Sequence, residues 1–164
     1  MKKFFKIFQK EKDIVAIEYT VEDQKNYFNF VKSQTKQNMR QVIITSEIML
    51  EIIEKSFLKN NICVIKSIKF AEEDSELDEE INLYIKHINN DKENLKKLFT
   101  KLECISNSSS IDIEEIEVII KERENDEFIK MKIWVNGIIE IDTKNNRENK
   151  IKYILEVIKS KLES

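Results

Sequence analysis

The chain has 164 residues, 41% of them apolar and 36% charged, with a net charge of −3, a single glycine and no proline. A chain of that length buries a core without metal or disulfide staples, and an apolar share rich in Ile, Leu, Phe and Val excludes a disordered chain. The acidic balance weighs against a sequence-independent polyanion binder, one glycine cannot build a glycine-rich nucleotide cradle, and no apolar run has the length to span a bilayer.

The expected fold class is α+β, with mixed helices and strands in one domain over residues 1–164 and a sub-boundary available at 106–110. "MKKFFKIFQKEK" opens like a secretory signal but has neither an unbroken apolar stretch nor a small-residue cleavage site. It reads as a first strand or turn packed on the core, with Lys2, Lys3, Lys6 and Lys10 solvated. From Asp13 to Val21 apolar residues alternate, which predicts a strand with Val15, Ile17, Tyr19 and Val21 on one face. Glu22 to Gln34 then predicts a helix, with Tyr27, Phe28 and Val31 on one side.

From Gln37 to Asn61 a helical stripe runs through Met39, Val42, Ile43, Met49, Leu50, Ile53 and Phe57, and helix is the expectation over most of it. The alternative makes the β-branched run from Val42 to Thr45 a strand, with Ser46 capping a helix to Leu58. Ile62 to Phe70 is a strand, with Ile62, Val64, Ile68 and Phe70 on one face. The acids of residues 72–80 mark a helix start, and Leu77, Ile81, Tyr84, Ile85 and Ile88 continue that helix inward. A second helix follows over 92–104, burying Leu95, Leu98, Phe99 and Leu102.

After the "SNSSS" linker, the C-terminal half reads as a three-stranded antiparallel meander and a helix, giving helix, meander, helix overall. Ile116, Val118 and Ile120 alternate in its first strand. Asn136-Gly137 between "KIWV" and "IIEID" is a hairpin signal. A two-residue turn there sets Trp134 opposite Ile139 and residue 131 opposite 142. The last helix buries Ile151, Ile154, Leu155, Ile158 and Leu162, with Asn145 and Glu148 as its capping box.

No cofactor or metal is expected. Cys63 and Cys104 lack C-x-x-C spacing and read as buried thiols of a reducing cytosol. His87 is the only histidine, near a helix C-terminus, so a structural zinc site or a nucleophile–histidine pair has no support. The acidic run has no glycine for a calcium loop.

Two element-order resemblances bear on function. Helix, strand, helix, helix, strand, strand resembles a winged helix-turn-helix. That resemblance implies a reading helix at 92–104, with Lys92, Asn94, Lys96, Lys97, Thr100 and Lys101 on its polar side as the nucleic-acid-binding set. The proposed wing, however, carries Glu114, Glu115, Glu117, Glu122, Glu124, Asp126 and Glu127, which repel phosphate. The double-stranded-RNA-binding domain also has the helix, three strands, helix order, but the start of the last helix here has only Arg147 and Lys150 as bases. The third reading is metal-dependent hydrolysis. Asp126, Asp142 or Glu140, and Lys144 resemble the PD-(D/E)xK nuclease pattern, in which carboxylates hold magnesium and the lysine stabilises charge. In the two-residue-turn register Asp126 lies about five residues beyond the partner of Asp142, too far for a shared metal at about 3.3 Å per residue.

The main expectation is therefore a non-enzymatic cytosolic binding or accessory protein, acting by protein–protein contact in the manner of immunity proteins, secretion-type chaperones or small phage and plasmid regulators. Its partner is expected to be another protein. Nucleic acid is the alternative, stable membrane insertion is not expected, and a homodimer is compatible with the sequence. The strand edges of the meander and the aromatic N-terminus are the expected contact surfaces.

Overall fold

The structure, a computed structural model, describes residues 2–58, 62–71, 75–88, 97–98, 100–102, 104, 112–121, 127–144 and 147–163. The expected break at 106–110, the acids at 72–74, the capping residue Asn145, and Asp126, Lys92, Asn94 and Lys96 lie outside the described residues, as do the side chains of His87 and Cys63.

The chain is α+β, built on one seven-stranded sheet whose pairings are all antiparallel. It opens with strands β1 (Lys2–Lys10) and β2 (Asp13–Glu18), then two short helices, α1 (Val21–Lys25) and α2 (Tyr27–Thr35). A two-residue strand β3 (Arg40–Gln41) leads to α3 (Ser46–Leu58), β4 (Ile62–Phe70) and α4 (Ser75–Ile88). After β5 (Ile113–Lys121), β6 (Phe128–Trp134) and β7 (Ile138–Asp142), the chain closes with α5 (Arg147–Glu163). The strand order is β2-β1-β7-β6-β5-β4, with β3 paired to β1 beside that path.

Strands β5 to β7 do not form a separate meander. Strand β4 pairs with β5, and β1 pairs with β7 from Lys2↔Asp142 to Lys6↔Ile138. The meander edges expected to be open are therefore covered, and the outer edges of the sheet belong to β2 and β4. One long strand, β1, serves two partners on one side, β7 at Lys2–Lys6 and β3 at Phe8–Gln9.

Strand residues alternate between faces. The inner face of the sheet carries Ile7, Ile14, Ile65, Ile68, Ile116, Val118, Ile120, Ile129, Met131, Ile133, Ile139 and Ile141. Ile48, Met49, Ile52 and Ile53 of α3, Ile81 and Ile85 of α4, and Ile154, Val157 and Ile158 of α5 pack on it. The opposite face is covered only at the β1–β2 end among the described residues. There Phe30 of α2 meets Phe8 and Tyr19, with ring centroids 6.1 and 5.1 Å away.

Several sequence expectations are corrected by local chemistry. Val21 leaves the strand because Thr20 forms a capping box with Asp23 and starts α1, leaving Val21 exposed. Phe30, not Phe28, is the buried aromatic of α2, and Phe28 is 72% exposed. The helix expected through 42–45 begins only at Ser46. Residue Thr45, not Ser46, is the cap, since its Oγ1 accepts from Ile48 N at 3.3 Å. The hydroxyl of Ser46 instead accepts from Ile113 N at 2.8 Å and ties α3 to β5. In β4 a bulge between Ile65 and Ser67 resets the alternation, so Ile65 joins Ile68 in the core while Val64 faces outward. Cys104 is exposed rather than buried. In α5, Val157 is buried and Leu162 is exposed.

Candidate functional site

No described helix covers the outer face over β4 to β7, and each of its strands turns charged side chains outward. Outward residues of β5 begin with Glu115 and Glu117, those of β6 include Lys130 and Lys132, and those of β7 include Glu140 and Asp142. Strand β4 contributes Lys69 and β1 contributes Lys2. Acids of β5 and β7 thus flank the lysines of β6 at the strand spacing of about 4.8 Å, while Ile119 and Lys121 continue the outward row of β5. Register places opposite signs side by side: Lys69↔Glu115, Glu117↔Lys132, Lys132↔Glu140, Lys130↔Asp142 and Lys2↔Asp142. Opposite charges at directly facing positions stabilise a sheet.

Glu115 is the node of this face. It is only 8% exposed, and it accepts a hydrogen bond from Trp134 Nε1 at 2.9 Å. Lys132 Nζ lies 3.1 Å from one of its oxygens and Lys69 Nζ 3.9 Å from the other. Bonds to a carboxylate are about twice as strong as neutral ones, and here they hold the indole in place. The ammonium of Lys132 also sits 5.4 Å from the Trp134 ring centroid, and the Phe4 ring lies nearby, with centroids 6.3 Å apart. Hydrogen bonding to Glu115 raises the Lys132 pKa above its ordinary value; desolvation opposes this, and the charges of Glu115, Glu117 and Glu140 reinforce it. Lys2 pairs with Glu140 at 3.0 Å. Glu117 and Lys130 form no ion pair among the described residues, and Lys130 is exposed. At the foot of β6, Phe128 is 60% exposed beneath Lys121 Nζ, 5.5 Å from its ring centroid.

The Asn136-Gly137 turn differs from the two-residue form. Observed pairs are Ile133↔Ile139, Lys132↔Glu140 and Met131↔Ile141, one residue away from the expected register. Val135, Asn136 and Gly137 make a three-residue connection. Gly137 N donates to Trp134 O at 3.1 Å, and Gly137 alone in the turn has positive φ, +86°. The reason lies in the pleat: only this register keeps Met131, Ile133, Ile139 and Ile141 on one face and the charges on the other. The segment before α3 crosses this turn and buries Gly137, while Val135 is half-buried and Asn136 exposed. Ile44 N donates to Val135 O at 2.9 Å, and Ile7 N to Gly137 O at 2.8 Å.

Lys6 contradicts the expectation of a solvated lysine. It is fully buried, and its Nζ donates to Asn136 O at the same turn. Its ammonium lies 5.3 Å from the Tyr27 ring centroid and 5.8 Å from that of Phe8. Among the described residues no carboxylate pairs with it. Lys6 alternates with Phe4 and Phe8, which puts it on the aromatic side of β1, under α2.

Of the residues nominated from sequence, Lys92, Asn94, Lys96 and Asp126 lie outside the described residues. Of the nucleic-acid set, Lys97, Thr100 and Lys101 are described and exposed, but Lys101 Nζ is held 3.1 Å from Glu80 of α4. The strands nominated as a wing are interior strands of the sheet. For the nuclease pattern, Asp142 stands opposite Lys130, Glu140 is paired with Lys2, and Lys144 is exposed. Among the described residues no group of three or more His, Cys, Asp or Glu side chains is placed to hold a metal ion. A cleft of about 490 Å³ opens at the start of α5, lined by Lys3, Phe5, Glu18, Arg147, Glu148, Asn149 and Ile151. Its Lys3 and Glu18 are 3.6 Å apart, so acid and base largely offset each other there.

Sequence reasoning did not nominate Lys132, named Glu140 only within the nuclease pattern, and named Glu115 and Glu117 only as charges that repel phosphate. The signal was available as charges of one sign at period two within single strands, 115/117, 130/132 and 140/142. Among the described residues no helix is long and apolar enough to cross a membrane. Compared with protein-family models, with curated proteins and with solved structures, the chain matches none of them.

Proposed function

We propose that this protein acts as a binding or accessory protein and engages another protein through the outer face of β4 to β7. The observation that supports this reading is Trp134. Its indole is fixed by Glu115, Lys132 and Phe4 in a broad face with no described helix over it. Aromatic residues held rigid on a surface contribute contact area at low entropic cost, and buried indoles dominate many protein interfaces. The surrounding stripes of charge suit partner choice, because a wrong partner meets like charges. A flat surface suits a macromolecule better than a small substrate, which favours concave sites.

The test uses Lys130→Glu and Glu117→Lys; neither residue is in an ion pair among the described residues, but each faces an opposite charge, Asp142 or Lys132, so each variant is also checked for folding. The wild-type protein should retain one dominant partner from its host extract after nuclease treatment, and each variant should lose it while remaining folded. Retention by both variants would remove the face from the binding surface. Capture that disappears with nuclease would instead favour the nucleic-acid reading through Lys97, Lys101 and their neighbours in 92–104, to be followed by the salt dependence of duplex binding.

A further inference from the structure

We propose that the open edge of β2 docks an extended strand of a partner protein, antiparallel to β2, in which lysine or arginine alternates with apolar residues. This surface is distinct from the outer face of β4 to β7 and does not depend on that face binding anything.

Tyr19 N donates to Phe4 O, so by alternation Ile17 and Val15 also turn their backbone groups toward β1. Ile14, Ala16 and Glu18 turn theirs away from the sheet, and among the described residues nothing bonds to them there. The other outer edge is blunted. Strand β4 has a bulge between Ile65 and Ser67, with Lys66 in it and Lys69 beyond, and bulges and lysines keep an edge from pairing. Strand β2 has neither: its register with β1 runs unbroken from Asp13 to Glu18, and residues 14–17 are uncharged. Every pairing in the sheet is antiparallel, the form that is slightly more stable per residue.

Clefts on both faces of the sheet meet at this edge, and Glu18 lines both. On the inner face is the cleft at the start of α5, where Phe5 and Ile151 lie among offsetting charges. On the outer face a cleft of about 350 Å³ lies between Ile17 and the helices α1 and α2, lined by Glu22, Asp23, Asn26, Asn29 and Gln34. Among the described residues no lysine or arginine lines it. Asp23 is committed to the cap of α1, but Glu22 has only an exposed pair with Lys25 at 3.3 Å, and such pairs are weak enough to exchange. A strand added to β2 turns alternate side chains to the two faces. Residues opposite Ala16 and Glu18 lie on the inner side, where an apolar side chain meets Phe5 and Ile151. The residue opposite Ile17 lies on the outer side, where a lysine or arginine meets Glu22 and the side-chain amides. Backbone pairing at an edge supplies affinity, and clefts for alternate side chains supply specificity. A second copy's β2 suits the outer cleft less well, because it turns Val15 and Ile17 to that side and offers no base.

The experiment titrates the full chain, up to roughly 300 μM, into a trace of a short fluorescein-labelled peptide of alternating valine and lysine, and follows anisotropy. Saturable binding is expected, and a valine–glutamate peptide should bind roughly tenfold more weakly or worse. In an antiparallel pair the residues opposite Ala16 and Glu18 aim their N–H groups at β2, and the residues between them aim away. N-methylation of the valines should therefore abolish binding, while N-methylation of the lysines should preserve it, although both peptides carry the same charge. Glu22→Lys should weaken binding of the lysine peptide by about two- to fivefold. Ala16→Pro removes an outward N–H from the edge and should weaken it by at least roughly threefold. Circular dichroism checks that each variant is folded. If Ala16→Pro is not, Glu22→Lys and the methylated peptides decide the matter. No binding of the lysine peptide, equal binding of the glutamate peptide, or equal effects of the two methylations each overturn the proposal. A chain that ignores the peptides but self-associates in sedimentation equilibrium, and ceases to do so in folded Ala16→Pro, overturns it in favour of a second copy at this edge.

Discussion

Gly137→Ala should be among the most costly single methyl additions in the protein. Gly137 has φ +86°, and a Cβ there would collide with the backbone carbonyl oxygen of Val42 and sit 3.5 Å from that of Ile7. Backbone cannot yield as a flexible side chain does. Retreat of the 42–44 segment would loosen Val42 N to Ile7 O and Ile44 N to Val135 O, bonds of 3.3 and 2.9 Å. Forcing a non-glycine residue to positive φ costs about 1–2 kcal/mol, and each net hydrogen bond contributes about 0.5–1.5 kcal/mol. The total is about 2–5 kcal/mol, which for a domain of this size is roughly 5–15 °C in Tm. Urea unfolding followed by fluorescence of Trp134, the only tryptophan, measures it beside the turn. Gly137→Asn separates the two causes, because Asn tolerates positive φ but meets the same carbonyl. A Gly137→Ala protein within about 0.5 kcal/mol of wild type, inside the ordinary range for an uninvolved surface change, would refute the reasoning.

Ser46→Ala should cost about 1–3 kcal/mol, because it orphans the buried Ile113 N–H; equal urea midpoints for the two proteins would contradict that. Stability should fall as pH rises beyond about 10. Lys132, hydrogen-bonded to Glu115, and Tyr19, desolvated and close to Tyr27 and Asp23, both have raised pKa values in the folded chain. Both groups therefore hold their protons more tightly folded than unfolded. Their contribution is complete below the unfolded pKa and lost as pH climbs through the folded one. Lys132→Met with Tyr19→Phe should flatten a urea series taken from pH 8 to 11, and an unchanged slope would rule these groups out. Finally, a double-mutant cycle of Lys6→Met and Tyr27→Leu should give a coupling of about 1–2 kcal/mol for the desolvated cation–ring contact, and zero coupling would mean that the ring only fills space.

Local patterns carried most of the secondary structure. Alternating isoleucines marked β5, and the 3.6-residue spacing of Ile81 and Ile85 marked α4, because each element must bury one side. What local patterns could not carry was competition between rules. Asn-Gly favours a two-residue turn, but four apolar side chains on β6 and β7 outweighed it and shifted the register by one. Lys66 in the β4 bulge defeated strict alternation in the same way. Lys6 was read by its charge, although its alternation with Phe4 and Phe8 already placed it among aromatic rings. The candidate face was the least legible part. Its stripes exist only after β1 joins β7 and β4 joins β5, and nothing local in a single strand states its neighbour.

The pairing of β1 with β7 also sets an order of events during synthesis. Lys6 and its partner position Ile138 are far apart in the chain, and at ribosomal speeds of 5–20 residues per second β7 follows β1 by roughly 7–26 s. The β1–β2 hairpin can close at once, but the other edge of β1 over Lys2–Lys6, which includes Phe4 and Phe5, waits for a strand not yet made. Nascent chains halted before residue 138 should therefore be the sticky species, recruiting chaperones that the finished protein no longer needs.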